Sequence, residues 1–132
     1  MFDVLVELDD AIEKLAAGEQ PADVAGLRRR IDRLECLWLR SVRDAERAGV
    51  WQADGFVSSA SWLRERCHLS HGDATSAVKL ARTLEEMPAV ADAFAAGDIS
   101  RRHAQVISLA RTPERGAPFA QLDGAFAAAA RT

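Results

Sequence analysis

No apolar run in this 132-residue chain approaches the ~18 residues a membrane-spanning helix needs, so no span is expected. The N-terminus, MFDVLVELDDAIEKL, lacks the basic start and unbroken apolar stretch of a secretory leader. Cysteine is scarce: Cys36 and Cys67 are too few for a disulfide framework. Buried free thiols in a reducing cytoplasm are the expectation. Lysine occurs only at positions 14 and 79, so nearly all positive charge is arginine. Together with the heavy use of alanine, this points to a GC-rich coding sequence more than to a mechanism. No glycine-rich phosphate loop and no Gly-x-Ser-x-Gly elbow occurs. The serines at 41, 58, 59, 61, 70, 76, 100 and 108 fall at helix starts or within helical stretches, with no nucleophile set beside an obvious base. No enzymatic activity, cofactor or small-molecule substrate is therefore expected.

What is present is ordinary globular composition, 48% hydrophobic and 28% charged, enough for one domain with one core. The net charge of −3 is unevenly spread. Residues 1–26 carry seven acids against Lys14 alone, whereas residues 27–48 carry seven arginines against four acids. Such asymmetry suits two helices that are electrostatic partners, or a basic face kept for a polyanion.

Every periodic stretch has a helical period. Leu5, Leu8, Ile12 and Leu15 form one stripe over about residues 2–17, before Gly18 and Pro21. Over 22–48, Val24, Leu27, Ile31, Leu34, Trp38, Ser41, Ala45 and Ala48 follow at steps of three and four, a heptad seam nearly four repeats long. Leu37, Leu39 and Val42 widen its face, which suits packing in an intramolecular bundle; a homodimeric coiled coil through the same helix is the alternative. Asp54-Gly55 marks a turn. Ser58 or Ser59 caps a helix holding Trp62, Leu63 and Cys67 inward, and Ser70 caps the next, which buries Ala74, Ala77, Val78, Ala81 and Leu84. A short helix from Pro88 to Gly97 buries Val90, Ala93 and Phe94. Ser100 starts another, with Ala104, Ile107 and Ala110 inward. Pro113 to Pro118 reads as a loop and the tail after it as helical. The expected fold is all-α: a single-domain bundle of about seven helices with one long central helix. It divides into an acidic helix at 1–20, the heptad helix at 22–48 and a short-helix region at 56–130.

Two clusters invite a chemical reading. Cys67, His68, His71 and Asp73 lie within seven positions, but Cys67 and His68 project about 100° apart on a helix and Asp73 suits a cap. Zinc needs about four ligands on one centre, so no metal site is expected. As a DNA-reading helix-turn-helix the stretch is poor: its turn lacks glycine, and the second helix offers Lys79 beside Asp73. The second cluster, Arg101, Arg102 and His103, crowds the first turn of a helix, where each cation opposes the helix dipole by roughly 0.3–1 kcal/mol. Solvated charge balanced by Asp98 is one reading; an anion or nucleic-acid contact is the other. Arg28, Arg29, Arg30 and Arg33 are secondary candidates for the same contact.

The order of motifs adds a resemblance. Gly55, Ser58, Trp62 and Leu63 precede Leu69 and Ser70; then come Ala81, Arg82 and Leu84, Met87 and Pro88, and Gly97, Ile99, Ser100, His103 and Ala104. In this order, across roughly residues 24–130, the chain resembles the actinobacterial thirteen-E-twelve repeat family (domain of unknown function 222). The resemblance implies a helical domain often found upstream of an HNH nuclease module and associated with mobile elements. No His-Asn-His constellation is present in this chain, so no catalytic residue carries over. The expectation is a non-catalytic, cytoplasmic helical domain, incomplete at its C-terminus, that assists DNA binding or positioning. The alternatives are a dimerisation or interaction module through the 22–48 helix, whose partner is a second copy or the missing C-terminal portion, and a remnant without function of its own.

Overall fold

The computed structural model describes residues 3–18, 21, 23–109, 127 and 130–131. Among them every regular element is helical: α1 Val4–Ala16, α2 Val24–Arg47, α3 Val50–Ala53, α4 Ser59–Cys67, α5 His71–Glu85, α6 Pro88–Ala95 and α7 Arg101–Leu109. The expected all-α bundle around one long helix is what the chain adopts. The short α3 falls inside a stretch that reads in the sequence as a bare connector; Gly49, at φ 68°, reverses the chain after α2 and one helical turn follows. The loop expected at Pro113–Pro118 lies outside the described residues, as does most of the tail expected to be helical; Ala127, Ala130 and Arg131 are helical.

Local chemistry sets the helix ends. Asp3 and Asp23 accept from the backbone amides of Leu5 and Gly26. Ser58 and Ser61 form a reciprocal capping box at the start of α4. Ser70 Oγ accepts from the Asp73 amide, as the sequence indicates. Between α4 and α5 the turn lacks glycine, and His68 takes the left-handed conformation itself, at φ 56°. Such a backbone is strained for a residue with a Cβ.

The core forms where α2, α5 and α6 meet, with α4 packed against α5 and α7 against both α5 and α6. Small faces allow close approach: Ala74, Ala77 and Ala81 on α5 and Ala93 on α6 are buried. Leu39, Leu63, Met87, Phe94 and Ile99 fill the space between them and are almost fully enclosed. The buried line of α2 runs through Asp32, Cys36, Leu39 and Val42. That line is not the heptad seam read from the sequence. The seam lies about a third of a turn around the helix and faces outward over its first half. The helix α1 stands outside this packing: none of its residues is buried.

A charged clasp joins three helices at the end of α2. Glu46 receives the Arg82 guanidinium from α5, with Nε to Oε1 at 2.8 Å, Arg43 at 2.7 Å and the Ser59 hydroxyl from α4. Arg43 and Arg47 also reach Glu85. The hydrogen bonds from Arg82 dominate over burial, which opposes them, and hold the Glu46 carboxyl well below the usual carboxylate range, at about 2. A folded-state value below the unfolded one stabilises the fold at neutral pH. That contribution is lost as pH falls from about 4.5 toward 2. Glu46→Gln is expected to lower the urea midpoint at neutral pH and to flatten its decline across this acid window. A series of urea melts of both proteins between neutral pH and pH 2 measures it.

Candidate functional site

Two surface features stand out, and both involve the first half of α2. The first is apolar. Val24, Leu27, Ile31 and Leu34 are exposed, Val24 to 84%, and the stripe runs on into half-buried Trp38. At its end lies an open hollow lined by Ile31, Leu34, Trp38, Cys67 and Leu69, with Glu35 and Arg101 at its polar side. A continuous row of large apolar side chains in water is the surface signature of a contact. The heptad spacing is the signal by which the sequence marks this row; what it hides is that the fold leaves the row open.

The second feature is electrostatic. The sequence separates Arg28, Arg29, Arg30 and Arg33 from Arg101, Arg102 and His103, and the fold brings these groups to one corner. Gly97 is the hinge of that approach. Its φ is +79°, and a Cβ there would lie 2.5 Å from Arg29 Cγ and 3.0 Å from the Arg29 carbonyl oxygen. Only a residue without a side chain allows the α6–α7 turn to sit this close to α2.

At this corner most of the arginines already have acidic partners. Arg28 lies 3.0 Å from buried Asp32 and 3.7 Å from Glu35. Arg29 reaches Asp98 at 3.6 Å, and Arg131 meets the same carboxylate at 3.1 Å. Arg101 sits 3.5 Å from Glu35, with its guanidinium over the Trp38 ring at 5.6 Å. Asp98, which the sequence places near Arg101, serves Arg29 and Arg131 instead. Arg30 donates to the Gly26 carbonyl at 2.9 Å. The His103 backbone amide donates to Ser100 Oγ, and the Ser100 hydroxyl and amide lie beside His103 Nδ1. The side chain of His103 thus takes part in the cap of its own helix. Among the described residues no carboxylate lies within ion-pair distance of Arg33 or Arg102.

The Cys67–Asp73 stretch resolves into separate roles. Cys67 lines the hollow, His68 makes the turn, His71 is exposed at the start of α5 and Asp73 supplies the amide that Ser70 caps. Among the described residues no group of three His, Cys, Asp or Glu could hold a metal ion. Burial pushes the Cys36 thiol up, against the pull of Arg40, so it stays protonated and is a weak nucleophile. Among the same residues no helix is long and apolar enough to cross a membrane.

A family model described as "Domain of unknown function (DUF222)" matches residues 19–132. The chain is 35% identical over 117 residues to "Uncharacterized protein in est 3'region" of Mycobacterium tuberculosis, an alignment covering 83% of this chain and 33% of the relative. It is 35% identical over 117 residues to an uncharacterized protein of Mycobacterium tuberculosis (strain ATCC 25618 / H37Rv), covering 83% of this chain and 22% of that one. The chain thus spans a third or less of the length of these relatives. No solved structure matches.

Gly97→Ala tests the corner. It is expected to lower the unfolding free energy by about 1–3 kcal/mol, because the alanine meets both strained backbone and the Arg29 main chain. Urea denaturation measures this, and a change within error would show that the α6–α7 turn shifts freely.

Proposed function

The chain belongs to the DUF222 family, and from that premise we propose that this domain is a non-catalytic helical docking module that binds another helix along the first half of α2. The observation that carries this reading is the outward row Val24, Leu27, Ile31 and Leu34. These side chains recur at coiled-coil spacing and are not needed by the domain's own core, which uses Cys36, Leu39 and Val42 on another face of α2. Helix-in-groove recognition anchors an amphipathic partner at such positions. The hollow beside Trp38 and Leu69 supplies a deeper seat at the end of the row.

The convergence of the arginine clusters favours a second reading, in which the corner assists in positioning DNA, as the resemblance to nuclease-linked proteins implies. Arg30, Arg33 and Arg102 are the residues best placed to reach phosphate; Arg28, Arg29 and Arg101 would first have to exchange their carboxylates for it, and His103 would add a ring at the same corner. Binding to duplex DNA at low and high salt tests this. Phosphate contacts predict affinity that falls steeply with salt, and absent or salt-independent binding removes the reading.

For the docking reading, Ile31→Glu with Leu34→Glu is expected to leave the melting temperature within a few degrees of the parent, as surface changes within about 0.5 kcal/mol do. Phe94→Ala, in the closed core, is expected to cost about 3–5 kcal/mol. Thermal melts by circular dichroism make the comparison. A loss in the double variant as large as that of Phe94→Ala would place the row in the domain's own core and end the docking reading.

A further inference from the structure

The partner of the α2 row is inferable from the chain itself. The helix α1 carries Leu5, Leu8, Ile12 and Leu15 at steps of three, four and three, and α2 carries Val24, Leu27, Ile31 and Leu34 at the same steps. At about 1.5 Å per residue, each row is about 15 Å long. Both rows are largely open: Leu5, Ile12 and Leu15 are exposed and Leu8 is half-buried, and all four residues on α2 are exposed. Their charges are opposite. Between Asp3 and Ala16 there are five carboxylates against Lys14, whereas Val24–Arg33 holds four arginines against Asp32. Arg28 and Arg30 flank the α2 row on its two sides, as residues next to a heptad seam do. Moreover, α1 precedes the family-matched region, which begins at residue 19, and contributes nothing buried to the fold.

From this complementarity we infer that the chain self-associates by laying the acidic α1 of one copy along the basic α2 row of a second copy, reciprocally. This rests on the docking reading above and names its partner. The symmetry is that of a two-fold dimer, in which the same pair of surfaces is used twice. Each contact buries two apolar rows that neither copy covers alone. Arg30, and Arg28 on exchanging Asp32 and Glu35, meet the carboxylates of α1, so opposite charge steers the pairing while like-charged α1–α1 and α2–α2 contacts repel. Continuity with Trp38 and Leu69 gives the incoming helix an apolar seat at one end.

Complementation between two full-length variants tests it. Ile12→Lys places a cation in the α1 row, and Ile31→Glu an anion in the α2 row. Neither side chain is in the core, so at dilutions at which the parent is a monomer both variants are expected to melt like it. Light scattering at high micromolar concentration is expected to give the parent a mass of twice the 14.3 kDa chain and each variant alone the monomer mass. A mixture of the two variants is expected to recover the dimer. One of its contacts is then wholly native, and the other sets the introduced cation of I12K against the introduced anion of I31E. The parent dimer is expected to weaken with added salt. A parent that is monomeric throughout, variants that remain dimeric, a mixture that stays monomeric, or a dimer indifferent to salt each overturns the inference. If the parent is monomeric while I31E melts like it, the self-association fails and the docking reading survives. If I31E loses much of its stability, the docking reading itself fails.

Discussion

The packing of α2 against α5 and α6 is the constraint on which the other features depend. A helix can bury one broad face, and which face is chosen fixes what the opposite side offers to water. Here the chosen line is Asp32, Cys36, Leu39 and Val42. Alanines on α5 and α6 let the backbones approach, and Leu39, Phe94, Met87 and Ile99 occupy the room that remains. Once this face is closed, Val24, Leu27, Ile31 and Leu34 point away from the core. The outward row is therefore a consequence of how the core is packed.

The same packing organises the charges. At the C-terminal end of α2, Glu46 gathers Arg43, Arg82 and Ser59, a set of charge-assisted bonds that ties α2, α4 and α5 together. At the other end, Gly97 permits the α6–α7 turn to lie on Arg29 and Arg33, and Asp98 and Glu35 divide the nearby arginines between them. One end is an internal clasp in which Arg43, Arg47 and Arg82 each face a carboxylate of Glu46 or Glu85. The other keeps cations such as Arg33 and Arg102 without a carboxylate partner among the described residues, beside the open apolar row. The exposed apolar row and these cations thus lie together at the first half of α2, away from the clasp.

Much of the fold was legible from residue order. Spacing at three and four marks the helices, and the inward residues of α6 and all those of α5 but Leu80 follow from it because each helix carries one apolar face. Ser58, Ser70 and Gly49 act where their chemistry predicts, since capping is a local matter. The candidate site was legible only in parts. The sequence displays two arginine groups and a heptad seam as separate features along the chain, and no local rule says that residues near 30 and near 100 share a corner.

The sequence by itself determined the class of the fold, the helices and their ends, the match to the DUF222 family and the absence from this chain of a His-Asn-His constellation, because these follow from local periodicity, capping and motif order. Only the tertiary structure decided which of two apolar faces of α2 went inward, that Arg101 pairs with Glu35 while Asp98 goes to Arg29, and that α1 is left uncovered. The physical reason is that a broad amphipathic helix offers more apolar surface than one core can take. The choice between its faces is made by the shapes of the helices packed against it, and spacing along a single helix does not encode those shapes.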